Sequence, residues 1–234
     1  RVIILCRYIF NCAKKWETSG VSHNPTHGIA LYPEDNMRER YISQEEGQRL
    51  FEALEASDIK MLKYIVAMLL LTGARKREVL DARWSDFDLE KRQWRIEFNK
   101  TGKPRHVPLS DGALQLLASL PRREGCDYAF ANPDTGKPFV SFFYSWDTAR
   151  KRAGMADVRI HDLRHSFASF LINGGRSLYE VQKILGHTQV KTTQRYAHLS
   201  HDSLVAAANT AVLSVPLLQR MPMRANEVPL LAAQ

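Results

Sequence analysis

Three stretches of this chain gather residue types that could handle a phosphate. TGARKREVLDARW sets Arg75, Lys76 and Arg77 in the first turn of a helix, where cations oppose the helix dipole. Selection for stability alone would favour Asp or Glu there. The pattern therefore points to an anion held jointly by guanidinium and helix N-terminus, the alternative being a plain Arg75–Glu78 pair at i+3. HDLRHSFASFLINGG puts His161 and Arg164 three apart, on one side of a helix whose apolar stripe is Leu163, Phe167, Phe170 and Leu171. An imidazole there suits proton transfer and a guanidinium suits phosphate binding; surface decoration is the alternative. LGHTQVKTTQRYAHL sets His187 behind Gly186 at a helix end, with Tyr196 following. Add Lys100, on a turn between two strands, and the set holds three cations, two imidazoles and a phenol. Breaking a phosphodiester without a metal requires such groups.

The elements that must position them can be read in outline. Residues 1 to about 17 carry apolar residues at helical spacing, and a loop with Gly20, Pro25, Gly28 and Pro33 follows as an interdomain linker. Ser43 and Glu46 form a capping box before a helix bearing Leu50, Phe51 and Leu54. Asp58 is positioned to cap a second helix, MLKYIVAMLLL, apolar on nearly all sides, which stops at Thr72-Gly73. Residues 92–98 and 104–109 read as strands of a hairpin turning at residues 99–103. Helices follow near 111–120, 142–153 (capped by Ser141), 161–173 and 178–185 (with a Ser177/Glu180 box). A short helix leads to Tyr196, and a last one spans about 201–214. The pattern predicts a mainly α fold with a small antiparallel β-sheet, an α+β class, with a loose tail after Pro216.

Composition sets wider bounds. The 234 residues suit one full domain with attached pieces. Lysine and arginine number 33 against 25 acidic residues, and the pI near 9.5 favours an anionic partner such as nucleic acid. Cys6, Cys12 and Cys126 lack metal-ligand spacing and are too few for a disulfide framework, which implies a reducing, cytoplasmic setting. The longest apolar stretch, Tyr64 to Leu71, is far short of the ~20 residues that span a bilayer, so no membrane partner is expected. A first residue that is arginine rather than methionine suggests a fragment of something longer.

Taken in order, TGAR..E, a hairpin lysine, H-x-x-R, L-G-H and a following tyrosine resemble the tyrosine recombinases, the phage-integrase family. The resemblance runs over about residues 39–200 and includes LDARWSDFDL, NKTGKPRHVPL and HDLRHSFAS. It implies the family's catalytic-domain fold over 39–215, the end of a core-binding domain over 1–38, and a flexible tail over 216–234. It also implies roles. Tyr196 attacks the scissile phosphate and holds the 3′ end of the broken strand. Arg75 and Arg164 clamp the non-bridging oxygens, and His187 adds a hydrogen bond. Lys100 is the general acid, with Lys103 the competing assignment, and His161 is the acid/base histidine. The energy of the broken bond stays in the phosphotyrosine, so rejoining needs no ATP.

No metal and no cofactor are implied. The expected partners are double-stranded DNA attachment sites and accessory DNA-bending proteins. A homotetramer is expected on synapsed DNA, with a monomer allowed in its absence. The expected activity is site-specific integration or excision of a phage or genomic island. Type IB topoisomerase-like relaxation and a non-catalytic DNA-binding module are the alternatives. Glu78 and Asp162 read as buttresses for their neighbours; His165, His198 and His201 as structural; Trp84, Trp94 and the other seven tyrosines as core. Arg38, Arg40, Lys76, Arg77, Lys103, Arg105, Lys191 and Arg195 are candidates for backbone contacts.

Overall fold

The computed structural model of the chain describes residues 2–32, 40–97, 104–187 and 189–197. The chain divides into two units, Arg1–Glu39 and Arg40–Gln234. In the first, helix α1 (Val2–Lys15) buries none of its residues. The loop after it is tied back to the helix by polar groups. The Arg7 guanidinium donates to the carbonyls of Thr26 (3.1 Å) and Ile29 (2.8 Å), while the Asn24 amide donates to the Arg7 carbonyl (3.0 Å).

The second unit begins with the expected capping box. Ser43 Oγ accepts from the Glu46 N–H, and the Glu46 carboxylate accepts from the Ser43 N–H, opening α2 (Gln44–Glu55). Such a cap contributes about 1 kcal/mol. Helix α3 (Leu62–Thr72) buries Leu62, Ile65, Val66, Met68 and Leu69, as a helix apolar on most sides must. Asp58 does not cap it: the N-cap is Met61, with no side-chain bond, and a backbone turn from Leu62 N–H to the Ile59 carbonyl makes the entry instead. Gly73 ends α3 in a left-handed conformation (φ 61°), and α4 (Lys76–Leu80) follows.

A tight 3-10 turn at Trp84–Asp86 leads into a three-stranded antiparallel sheet of β1 (Phe87–Asp88), β2 (Gln93–Ile96) and β3 (Arg105–Pro108), in that order. Trp94 faces Val107 and Ile96 faces Arg105. Trp94, Ile96 and Val107 are buried while their neighbours in the strands point outward, which is the two-residue period of a half-covered sheet. The sequence pattern misses β1, whose two residues are too few to show that period. Helices α5 (Asp111–Ser119), α6 (Phe143–Arg152), α7 (Asp162–Asn173), α8 (Leu178–Leu185) and α9 (Val190–Gln194) complete the described elements. Ser141 lies one residue outside the N-cap of α6, Phe142, and accepts from Phe143 N–H.

Helix α3 packs on both α5 and α7, α2 on α6, and α8 on β3 and α9. The main core includes Leu50, Leu69, Trp94, Phe130, Trp146 and Leu163. A second, smaller cluster of Ala168, Ile172, Val181, Leu185 and Tyr196 joins α7, α8 and the end of α9. Trp84 is only half-buried and carries the Arg122 guanidinium 4.2 Å from its ring. The tyrosines run against expectation. Tyr8, Tyr32, Tyr41, Tyr144 and Tyr179 are exposed, and Tyr196, singled out for chemistry, is the one that is buried. The fold is helical with a small antiparallel sheet, as the pattern indicated.

Candidate active site

Two glycine turns and one helix build the site. At Gly73 a Cβ would lie 2.3 Å from Phe167 Cδ1 and 2.7 Å from Leu185 Cδ2; at Gly186 (φ 67°) it would lie 2.7 Å from Arg105 Cδ. Both turns need glycine twice over, for positive φ and for close approach. Arg75 follows the first turn as the N-cap of α4, and His187 follows the second.

Arg164, in the first turn of α7, bridges these turns. It is 4% exposed, and its guanidinium donates to the carbonyls of Gly73 (2.5 Å) and Leu185 (2.7 Å). Five N–H groups are available on a guanidinium, so these two bonds fix its plane and leave others for a ligand. Burial, then Arg75 and Arg105, lower its pKa to about 9. It stays charged at neutral pH in a region where positive charge is crowded, a situation that an arriving anion relieves.

Arg75 does pair with Glu78: its Nη1 donates to Oε1 (2.8 Å) and its backbone N–H to Oε2 (2.7 Å). The side chain of Arg75 is still 45% exposed, so the pair orients the guanidinium without hiding it. Glu78 also accepts from Arg105 Nη2 (2.6 Å). Burial pushes the Glu78 carboxyl up, but Arg105 and Arg75 together outweigh it and hold it below the ordinary value. Glu78 is thus a buttress for two arginines. Arg105, read from sequence as a candidate backbone contact, is largely withdrawn from solvent: its Nη1 donates to the carbonyls of Ile184 (3.0 Å) and Leu185 (2.6 Å). Asp162 is also buried and accepts from the Arg159 N–H (2.8 Å), fixing the entry to α7.

His187 Nδ1 bonds the Thr193 hydroxyl (2.9 Å), which ties the L-G-H turn to α9. Burial, then Arg164, Arg75 and Arg105, lower its pKa to about 4, so the ring is neutral at pH 7. Tyr196 closes α9 and is 5% exposed. Burial raises its phenol pKa against the opposing pull of Arg195 and Arg164. Its hydroxyl lies 2.5 Å from His165 Nδ1. His165, read from sequence as structural, therefore touches the proposed nucleophile. Its ring also packs edge-on against His161, centroids 5.0 Å apart. Burial lowers the pKa of both histidines, that of His165 to about 4. The i, i+4 spacing of His161 and His165 was a legible signal that both share one helix face.

Arg75, Arg164, His187, His161 and Tyr196 are thus brought to one region around α7 and the end of α8. Lys100, its competitor Lys103, Arg38, His198, His201 and the 201–214 helix lie outside the described residues. Among the described residues no three His, Cys, Asp or Glu side chains converge where a metal ion could be held, and no helix is long and apolar enough to cross a membrane.

Residues 40–202 match the model of the Phage integrase family. This chain belongs to that family. Tyrosine recombinase XerC of Bacillus pumilus is 31% identical over 201 residues, covering 79% of this chain and 65% of that protein. The XerC of Herpetosiphon aurantiacus is 32% identical over 197 residues, covering 79% and 64%. The chain therefore spans somewhat under two thirds of these relatives. Among solved structures, the catalytic domain of bacteriophage HP1 integrase superposes with a TM-score of 0.58 at 28% identity, covering 75% of this chain and 97% of that domain. The XerA recombinase superposes with a TM-score of 0.58 at 31% identity, covering 76% and 65%.

Proposed function

We propose that this phage-integrase family chain is the catalytic part of a site-specific DNA recombinase. It would cut and rejoin strands through a 3′-phosphotyrosine on Tyr196, without metal or ATP. The observation that carries the proposal is the meeting of a buried phenol with the α7 histidines, within the electrostatic reach of Arg164. Residues 39–215 form the catalytic domain in this reading, and 1–38 the end of a core-binding domain. The substrates are double-stranded DNA attachment sites, and the product is integration or excision of a phage or genomic island. The likeness to an integrase catalytic domain over nearly its whole length supports that assignment.

Each side chain then has a task. Arg75 and Arg164 hold the non-bridging oxygens and offset charge in the pentavalent transition state, where fixed donors act most strongly. In this reading the Thr193 hydroxyl donates to Nδ1 of neutral His187, which puts the ring proton on Nε2, from where it is donated toward the same oxygens. Lys100 donates a proton to the 5′ oxygen as it leaves, since a lysine near its ordinary pKa of ~10.4 is charged at pH 7. His161 serves as the acid/base histidine. Four such chains on two synapsed duplexes complete the exchange, with DNA-bending proteins assisting.

The test is a nicked duplex carrying the junction sequence of the element that encodes the chain, built so that the cleaved 5′ fragment diffuses away. The intact protein should form a DNA adduct that survives denaturation, and Tyr196→Phe should abolish it. An adduct undiminished by Tyr196→Phe refutes the nucleophile assignment. Relaxation of supercoiled DNA with no exchange between two attachment sites would favour topoisomerase-like action.

A further inference from the structure

We propose that His165 is the base that takes the proton from Tyr196 during strand cleavage, a role that rests on the nucleophile assignment above. The geometry is direct. Nδ1 of His165 lies 2.5 Å from the Tyr196 hydroxyl, at the short end of the hydrogen-bond contact a general base must make, with the phenol buried and the imidazole partly so. An imidazole accepts at Nδ1 only when neutral and protonated on Nε2. The surroundings enforce neutrality: burial first, then Arg195, His161 and Arg164, outweigh the opposing pull of Asp162. His187 from the α8–α9 turn also lies within electrostatic reach.

The same surroundings leave His165 a weak base until DNA arrives. A phosphodiester bound at Arg75 and Arg164 brings negative charge beside the cations that depress it, and so raises its basicity as the reaction begins. The phenol proton then passes to Nδ1 while the Tyr196 Oη–phosphorus bond forms and the bond from phosphorus to the 5′ oxygen breaks. The leaving oxygen takes its own proton from the general acid, assigned to Lys100. On rejoining, the 5′ hydroxyl attacks phosphorus and gives its proton back to the neutral general acid, the bond from phosphorus to Tyr196 Oη breaks, and the His165 imidazolium returns its proton to the departing phenolate. His161, edge-on to His165, is left free to serve the phosphate side.

The experiment is single-turnover adduct formation by the intact protein on the nicked duplex, across pH, with His165→Ala and His165→Gln. Glutamine keeps a hydrogen-bond acceptor but cannot take a proton. Both variants should keep DNA binding and lose about 10²–10⁴-fold in cleavage, the usual worth of general-base catalysis. Fluorotyrosine at position 196, with a more acidic phenol, should recover at least about tenfold of that loss. A substrate whose bridging 5′ oxygen is sulfur, which leaves without a proton, should recover none of it but should rescue Lys100→Ala. Cleavage by His165→Gln within about threefold of the unsubstituted protein overturns the proposal. So does rescue of His165→Ala by the sulfur substrate, since that places the histidine on the leaving-group side. An adduct that persists in Tyr196→Phe overturns the nucleophile assignment itself, and is recognised separately because the His165 variants play no part in that comparison.

Discussion

Arg105→Ala separates a buried structural arginine from a surface phosphate contact. The Arg105 side chain is 10% exposed and its partner Glu78 7%. Deleting one member of a buried ion pair costs about 3–5 kcal/mol, because the other charge is left uncompensated. Here Glu78 keeps its bonds to Arg75, so the lower end, about 3 kcal/mol, applies. Of the two carbonyls Arg105 serves, that of Leu185 keeps Arg164; the Ile184 carbonyl loses the Arg105 bond, adding about 1 kcal/mol. The expected loss is therefore about 3–4 kcal/mol. Urea unfolding followed by tryptophan fluorescence reads it in the right unit, since Trp84, Trp94 and Trp146 lie in Arg40–Gln234 and Trp16 is 74% exposed. In parallel, the dependence of DNA affinity on salt should be unchanged, because Arg105 neutralises Glu78 rather than a phosphate. A stability loss under about 1 kcal/mol, with the salt slope falling by about 0.9 as for one lost phosphate contact, would refute this reasoning.

Gly186→Ala forces a side chain into positive φ, about 1–2 kcal/mol, and drives its Cβ to 2.7 Å from Arg105 Cδ. Melting should show a loss of about 2–3 kcal/mol, and adduct formation should fall further, since this turn delivers His187; a neutral variant contradicts the turn's role. Acid should destabilise the fold early. His165 and His187 titrate near 4 in the folded chain against 6.5 in the unfolded one, so between those values the unfolded chain binds more protons. Stability is therefore complete above about pH 6.5 and falls as pH drops toward 4, by about 1–2 kcal/mol per histidine after allowance for partial exposure. A melting temperature constant from pH 7 to pH 5 contradicts this.

Local rules carried much of the fold. The Ser43/Glu46 and Ser177/Glu180 boxes are present, and the apolar run of α3 is buried, because caps and periodicity act within a few residues. Asp58 fails as a cap because a backbone turn supplies the bond a carboxylate would have made, a choice that composition does not reveal. The site was legible as residue types but not as wiring. Arg105 looks like any lysine-rich hairpin cation until β3 is paired against β2 and packed on α8. His165 looks structural until α9 folds back on α7, a contact across 31 residues of sequence. The tyrosines mislead for the same reason: burial is a property of the fold, and an exposed phenol on α6 or α8 reads like a buried one.

The end of α8 explains how so many cations share one small region. Arg164 and Arg105 both donate to the Leu185 carbonyl, which closes the C-terminus of α8. A helix C-terminus carries about half a negative charge on its unpaired carbonyls, so it welcomes two guanidinium groups that would otherwise repel each other. Glu78 supplies the remaining negative charge from α4 and shares it between Arg105 and Arg75. One carbonyl and one carboxylate thus hold three arginines in fixed planes before any ligand arrives. Gly186 then turns the chain immediately after that carbonyl, bringing His187 out beside the arginines, and His187 in turn holds α9 through Thr193. Arg105, Arg164, the neutral imidazole and the phenol therefore take their positions from one helix terminus, and Arg75 is tied to it through Glu78. A shift of that terminus moves all of them together, which is why substitution at Gly186 should cost more in cleavage than in stability.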